Sequence, residues 1–135
     1  MLRVTAQFAP RSGIGQFAKV VMGPRCAEAT QASCELVKTI AQGYCPVDTG
    51  ALRDSIQISE AVEGDATVTQ SVAPGMPYAP FVEYGTGERG DPSAPYPHVE
   101  GWPGQPAQPY MRPAIDEAKG QIKDVFLQKL GGPWN

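Results

Sequence analysis

The chain has 135 residues, of which 41% are hydrophobic and 19% charged, and this size predicts a single domain over residues 1–135 with one hydrophobic core. Its net charge of −3 argues against the basic surface of a nucleic-acid reader, and there is no apolar run of about 18 residues that would predict a membrane span. The three cysteines are an odd number, which argues against a disulfide framework in a reducing compartment, and their spacings match no zinc site, so we predict buried free thiols.

Two predicted elements open the chain. Residues 1–12 alternate weakly between apolar and polar positions, which indicates a short strand or an extended arm. From about Ile14 to Gly43, apolar residues recur every three or four positions, which predicts a long helix. Pro24 would remove a hydrogen bond and clash with the preceding turn, so we expect the helix either to kink there or to split into two.

A first motif, PVDTGALRDSI, follows at Pro46–Ile56. Asp48 is suited to be a helix N-cap, and Gly50 permits a backbone conformation that a side chain resists. We therefore predict a corner followed by a single helical turn, with Leu52 and Ile56 packed beneath it.

Alternation of polar and apolar residues then predicts strands. Ser55–Ser59 and Ala66–Val72 both alternate, and Glu63–Asp65 between them has the composition of a turn. The two segments are expected to form an antiparallel hairpin with one face on the long helix.

A second motif, YAPFVEYGTG at Tyr78–Gly87, has helical spacing and ends its helix at Gly85. Within it, Glu83 lies between apolar residues, and a partly buried carboxylate needs a partner. We predict a structural or inter-subunit ion pair between Glu83 and either Arg53 or Arg112.

Residues 86–109 are predicted to be a long loop, because they are rich in proline and glycine. A purely flexible linker rarely carries so much aromatic surface, so we expect this loop to dock on a partner. Its candidate partner contacts are Arg89, Asp91, Tyr96, His98 and Trp102.

The last predicted element is a helix that has Pro113 in its first turn and stops at Gly131. Its apolar face consists of Ile115, Ala118, Ile122, Val125, Phe126 and Leu130. The predicted fold class is therefore α+β, with a long N-terminal helix, an antiparallel β-hairpin or small sheet, and a C-terminal helix packed on it.

Catalysis has one candidate, the triplet Asp48-Thr49-Gly50 of aspartic proteases. Those enzymes need two carboxylates that share a proton, so a chain with one copy would have to act as a homodimer. The triplet here follows a predicted helix rather than an apolar strand, and no motif ties His98, the only histidine, to a nucleophile. We predict no catalytic residue, no metal site and no cofactor, and keep a homodimeric aspartic protease using Asp48 as the alternative of another class.

Three motifs taken together resemble one family. PVDTGALRDSI, YAPFVEYGTG and a third motif, QPYMRPAIDEAK at Gln108–Lys119, are similar in this order to the head–tail joining family of long-tailed phages. Its members are neck proteins, tail-completion proteins or minor tail components of lambda-like phages. The similarity extends from about Gly15 to Leu130, and the long insert between Gly87 and Gln108 departs from it.

The resemblance implies a non-catalytic subunit that forms a homo-oligomeric ring between capsid and tail. Such a subunit is made in the cytoplasm of the host bacterium and resides in the virion, at the neck or the head-proximal end of the tail, without membrane contact. Its expected neighbours are head-completion or connector proteins and tail proteins, which would contact the N-terminal arm and the loop. Packaged DNA would pass the acidic lumen without specific binding. A tail terminator or another subunit at the end of the tail tube is the alternative within the same particle.

The resemblance also gives the motifs structural roles. The first motif sets the angle between the long helix and the hairpin, the second is anchored by its aromatic residues over the core or against a neighbour, and the third leads the last helix back onto the sheet. The structural motif residues are Pro46, Asp48, Thr49, Gly50, Leu52, Arg53, Tyr78, Phe81, Glu83, Tyr84, Gly85, Tyr110, Arg112 and Pro113.

Overall fold

The computed structural model describes residues 2–7, 15–64 and 67–131. In chain order its elements are β1 (Leu2–Gln7), α1 (Gly15–Tyr44), α2 (Ala51–Asp54), β2 (Gln57–Ile58), β3 (Val62–Glu63), β4 (Thr67–Ala73), α3 (Ala79–Tyr84), a 3₁₀ turn (Gly87–Arg89) and α4 (Met111–Leu130). The α+β class, with a long helix, a small antiparallel sheet and a C-terminal helix, is confirmed. None of the helices in these ranges is long and apolar enough to cross a membrane.

Strand β4 is the centre of the sheet. It pairs antiparallel with β1 along the whole of β1, and on its other side with β2 and β3. The register shifts by one residue between the Ile58–Val72 pair of β2 and the Val62–Thr69 pair of β3, as one inserted residue in a β-bulge does. Thus β2 and β3 together form one interrupted edge of the sheet, and β1 forms the other.

One face of the sheet packs on the helices. Val68 and Val72 of β4 and Val4 of β1 are buried, because alternate residues of a strand point to the same face. Helix α4 lies beside α1, and side chains of both helices join the core clusters of this inner face. The buried apolar residues of the helices are Cys26, Ala29, Cys34, Val37 and Ala41 of α1 and Met111, Ala114 and Ala118 of α4.

Helix α1 runs through Pro24 without a break, so the expected split into two helices is wrong. A proline inside a helix costs about 3 kcal/mol. Burial of one side chain offsets roughly 1.5–3 kcal/mol, and α1 is buried at several positions beyond Pro24, beginning with Cys26. The helix is therefore continuous because the free energy gained by burying α1 side chains in the core exceeds the local cost of Pro24. The kink remains a prediction.

The sheet differs from the predicted hairpin. Ser55 and Ile56 do not begin a strand, because their amides donate to Ala51 and Arg53 carbonyls and extend the α2 turn. The turn predicted from Glu63 begins later, since Glu63 still pairs with β4. Residues 1–12 form a strand over Leu2–Gln7, while the rest of the predicted arm lies outside the described residues.

Other local predictions are confirmed. Ala51–Asp54 is a single helical turn, and Gly85 follows the last residue of α3 with a positive φ of 74°. Pro113 lies in the first turn of α4, and the predicted apolar face of α4 is buried or half-buried. The cysteines at positions 26, 34 and 45 are free and buried.

Candidate functional site

The second and third motifs meet at the carboxylate of Glu83, which is 5% exposed. Its oxygens accept hydrogen bonds from the backbone amides of Tyr110 (2.9 Å), Met111 (3.0 Å) and Arg112 (3.0 Å). The first amides of a helix lack partners within the helix, and Tyr110 at the N-cap position of α4 provides no side-chain cap. Glu83 therefore caps α4 from α3.

Arg112 completes this cluster, which we call the junction (Glu83, Tyr84, Asp91 and Arg112). Its Nε donates to Glu83 at 3.0 Å, and its other nitrogens donate to the Asp91 carboxylate (2.8 Å) and the Glu83 carbonyl (3.1 Å). The guanidinium lies 4.4 Å from the centre of the Tyr84 ring, within range of a cation–π contact. Arg112 thus ties α3 and the loop to α4.

The predicted ion pair of Glu83 is confirmed with Arg112 and is wrong for Arg53. Arg53 pairs with its neighbour Asp54 at 3.0 Å instead. The capping role of Glu83 was not predicted, although one signal was available. The third motif starts its helix at Tyr110 without Ser, Thr, Asp or Asn at the cap position, so the amides of α4 needed a distant acceptor.

The junction stays charged at neutral pH. Burial opposes ionisation of Glu83, but the three backbone amides and the Arg112 guanidinium together hold the pKa of Glu83 below its usual value. Hydrogen bonds from Arg112, and then from Ser93, lower the pKa of Asp91 to about 2. Hydrogen bonding to Asp91 in turn raises the pKa of Arg112.

The loop of residues 86–109 is folded on itself. Thr86 and Gln105 form an isolated antiparallel bridge, with amide–carbonyl distances of 2.8 and 3.0 Å. The ring nitrogens of His98 lie 2.7 Å from the Gly87 carbonyl oxygen and 2.8 Å from that of Asp91. Arg89 donates to the carbonyls of Pro103 and Gly104.

Glycine is required where the two sides of this loop approach each other. Gly104 has a φ of 59°, and a Cβ there would overlap the carbonyl group of Thr86. Gly101 also has a positive φ, of 80°, but a Cβ there would meet nothing within 4 Å. The backbone crossing at Gly104 therefore depends on the absence of a side chain.

Four of the five predicted partner contacts lie inside this internal network. Arg89, Asp91 and His98 bind backbone or side-chain atoms as described, and the Tyr96 hydroxyl donates to the carbonyls of Pro80 and Gly85. Trp102 is different, because its side chain is 48% exposed while its carbonyl oxygen accepts from the Glu88 amide at 2.8 Å. A turn of fixed backbone thus presents an exposed indole.

At the first motif, the predicted capping role of Asp48 is wrong. The N-cap of α2 is Gly50, with a φ of 84° and no side-chain cap, and the Thr49 hydroxyl accepts from the Ala51 amide at 3.3 Å. The left-handed backbone that Gly50 supplies makes the corner instead. Leu52 and Ile56 are buried beneath it as predicted.

The same geometry gives the protease hypothesis no support. Asp48 is exposed in the connection between two helices, and its carboxylate has no hydrogen-bond partner among the residues that the structure describes. Elsewhere in the described residues, no group of three or more His, Cys, Asp or Glu side chains could hold a metal ion.

The first and second motifs face each other across a cleft of about 400 Å³ lined by residues 46–52, Tyr78, Val82 and Gln108. Two apolar side chains of its lining are exposed, Val47 at 59% and Tyr78 at 44%, and Phe81 of the second motif is exposed at 47% without lining the cleft. The anchoring of Tyr78 and Phe81 over the core or against a neighbour stays a prediction. The Phe81 ring contacts the Tyr96 ring of the loop in a tilted arrangement, with ring centres 5.0 Å apart and an interplanar angle of 58°.

The site thus consists of the internally tied junction and of exposed side chains at Val47, Tyr78 and Phe81, which we call the aromatic surface. The comparison with known families identifies the class of protein to which this site belongs. The chain matches the HK97-gp10-like family, described as "Bacteriophage HK97-gp10, putative tail-component", over residues 18–85, which is half of its length. The chain belongs to this family, so the resemblance to phage head–tail joining proteins is confirmed, and its role is structural, tail-related and virion-associated. No curated protein and no solved structure matches it significantly.

Proposed function

We propose that this chain is the ring-forming subunit of the phage neck or tail-completion complex, which joins the capsid connector to the tail. The observation that carries the proposal is that Val47, Tyr78 and Phe81 of this chain are exposed. The chain also belongs to a family of tail components, whose members act in an assembled particle. Val47 of the first motif and Tyr78 of the second line the same cleft, and Phe81 belongs to the second motif. Such a surface on a small domain is favourable when another protein covers it.

The loop supplies a second contact in this proposal. Internal hydrogen bonds fix its backbone before any partner binds, so little conformational entropy is lost on docking. Trp102 at its exposed turn belongs to the residue types that contribute most to interfaces. We assign the aromatic surface to neighbouring copies in the ring and the Trp102 turn to an adjacent connector or tail protein.

DNA passage is part of the proposal. The net charge of −3 suits a lumen that packaged DNA traverses without binding, because cationic walls would retain phosphates. A lumen lined by lysine and arginine in the assembled particle would contradict this role. A tail terminator would use the same surfaces at the head-proximal end of the tail tube, and the position of the ring in the particle distinguishes the two.

The test is disruption of the gene in the phage that encodes the chain, with the wild-type chain supplied from a plasmid as the control. We expect filled capsids and complete tails that stay separate in electron micrographs, and joined infectious particles once the chain is restored. Cryo-electron microscopy of the restored particle should show the chain as a ring at the neck or at the tail end nearest the capsid. Joined particles without the chain would disprove the proposal.

A further inference from the structure

The imidazole ring of His98 lies between two backbone carbonyl groups of the loop. Its Nδ1 is 2.7 Å from the Gly87 oxygen and its Nε2 is 2.8 Å from the Asp91 oxygen, and the side chain is half-buried. Both distances are within the range of hydrogen bonds. Turning the ring by half a revolution would put carbon atoms in place of both nitrogens, so the two contacts together fix its orientation.

These two contacts require one protonation state of the ring. A carbonyl oxygen only accepts hydrogen bonds, so each ring nitrogen has to donate. The neutral imidazole has an N–H on one nitrogen and a lone pair on the other, and that lone pair would face a carbonyl oxygen at 2.7 or 2.8 Å. The imidazolium has an N–H on both nitrogens. Only the protonated ring therefore satisfies both carbonyl groups at once.

The other titratable groups of the surrounding segments are engaged elsewhere or lie in solvent. Glu88 accepts from a backbone amide, Arg89 donates to backbone carbonyls, Asp91 binds within the junction, and Glu100 is exposed. Burial raises the pKa of Tyr96, whose ring centre lies 6.3 Å from that of the imidazole, so its hydroxyl stays neutral. Among the residues that the structure describes, the hydrogen-bond partners of the imidazole are thus the two carbonyl groups, whose dipoles stabilise a positive charge.

The same contacts hold the segment on which the Trp102 turn rests. Residues 87–91 contain the 3₁₀ turn, and the imidazole binds the carbonyl group at each end of this segment. Within it, the Glu88 and Arg89 amides donate to the carbonyls of Trp102 (2.8 Å) and Pro103 (3.1 Å). Releasing one end of the segment therefore loosens the backbone that presents the indole.

We propose that protonated His98 fastens the 3₁₀ turn of the loop, and that loss of the ring proton loosens the turn that presents Trp102. The imidazolium makes both bonds and the neutral ring makes only one. The ordered loop is therefore favoured at acidic pH and weakened as the pH rises through the range in which histidine titrates, roughly pH 6 to 7. This inference goes beyond the proposed function, because it concerns the loop of the isolated chain.

NMR of the wild-type chain tests the protonation state. His98 is the only histidine, so its ring signals are identified without further assignment. The ¹⁵N shifts of the ring are followed from about pH 5.5 to about pH 8.5, in the folded chain and in the chain unfolded by urea. The folded chain should retain an N–H on both nitrogens to a higher pH than the unfolded chain does. Loss of the second proton at the same pH in both states would overturn the proposal.

Amide hydrogen exchange tests the consequence for the turn. After correction for the intrinsic effect of pH, the protection of the Glu88 and Arg89 amides should fall roughly fivefold between about pH 5.5 and about pH 8, as the loss of one hydrogen bond predicts. The Ser59 amide, which donates to the Ser71 carbonyl in the sheet at 2.9 Å, is the internal control and should keep its protection.

His98→Gln is the matched variant, because its amide does not titrate in this range. It should remove the pH dependence at Glu88 and Arg89, with thermal melting to verify that the domain folds. Constant protection of these two amides in the wild type would overturn the proposal, and so would the same pH dependence in His98→Gln. Both results concern the loop alone and leave the proposed joining function to its own test.

Discussion

The carboxylate of Glu83 and the guanidinium of Arg112 form an ion pair at 3.0 Å, while the same carboxylate caps α4, the helix whose first turn contains Arg112. One side chain thus satisfies the orphan amides of α4 and fixes the arginine that holds the loop through Asp91. The second and third motifs are connected by this contact, although 29 residues separate its two members. Its loss should therefore affect both the helix and the loop.

Glu83→Gln keeps the size of the side chain and removes its charge. We expect the free energy of unfolding to fall by about 2 kcal/mol, because the ion pair between the buried Glu83 carboxylate and the partly exposed Arg112 is lost and the charge-assisted bonds to backbone amides are weakened. Thermal and urea unfolding would measure the change. Asp54→Asn, which removes the exposed pair with Arg53, is the control and should cost less than about 0.5 kcal/mol. Equal stability of wild type and Glu83→Gln would contradict the structural role of the junction.

The stability of the domain should depend on pH in the acid range. Both Glu83 and Asp91 have a folded-state pKa below the usual value, so the unfolded chain binds more protons as the pH falls. Their contribution is complete above the ordinary carboxyl pKa of about 4 and is lost as the pH falls towards the pKa of Asp91 at about 2. Urea unfolding between pH 7 and pH 2 measures this loss.

Asp91→Asn provides the comparison for that measurement. Because the amide does not titrate, the difference in stability between wild type and variant should be greatest at neutral pH and should shrink between about pH 4 and pH 2. A difference that is independent of pH would show that the ion pair of Asp91 with Arg112 does not contribute through its charge.

The sequence is sufficient to predict those parts of the fold that follow from a long periodic pattern of apolar residues. It also predicts a contact where a single charged side chain among apolar residues needs a partner. The periodicity of α1 and α4 predicts both helices, and the apolar surroundings of Glu83 predict an ion pair with Arg112 as one of two options. The capping role predicted for Asp48 is wrong because Asp48-Thr49-Gly50 is compatible with two kinds of corner. One is capped by the Asp48 side chain, and the other is made by a left-handed glycine; the structure has the second, at Gly50.

The loop could not be predicted in the same way. Its order comes from contacts such as the Thr86–Gln105 bridge and the two carbonyls that bind His98. These contacts use backbone groups, which every sequence possesses, and they join residues that no periodic pattern relates. Proline and glycine content indicated irregular structure, but it could not show that the irregular structure is folded.

Gly104→Ala should disturb the loop more than Gly101→Ala does. Both positions have a positive φ, so each alanine costs about 1 kcal/mol in backbone strain. Only at Gly104 does the added methyl group also overlap the Thr86 carbonyl group, which should add about 1–3 kcal/mol or break the bridge to Gln105. Amide hydrogen exchange at Thr86 and Gln105 would report the opening directly. Similar exchange in the two variants would show that the close approach is not needed for the bridge.

Trp102→Ala tests the role of the loop in joining. Deleting the loop is a less informative change, because Asp91 binds Arg112 and Gln105 pairs with Thr86, so a deletion would also remove contacts that hold the domain. The Trp102 side chain is 48% exposed, and its truncation should leave the melting temperature nearly unchanged. If the indole is an interface anchor, the yield of joined particles should fall by roughly tenfold or more, since such anchors contribute over 2 kcal/mol.

Leu127→Ala is the matched control, because Leu127 is an apolar residue of α4 with 60% exposure that lies outside the loop. Counting joined and separate particles by electron microscopy for both variants decides the question. Equal loss in both would indicate a general effect of exposed apolar surface, and no loss for Trp102→Ala would assign the loop a purely internal role.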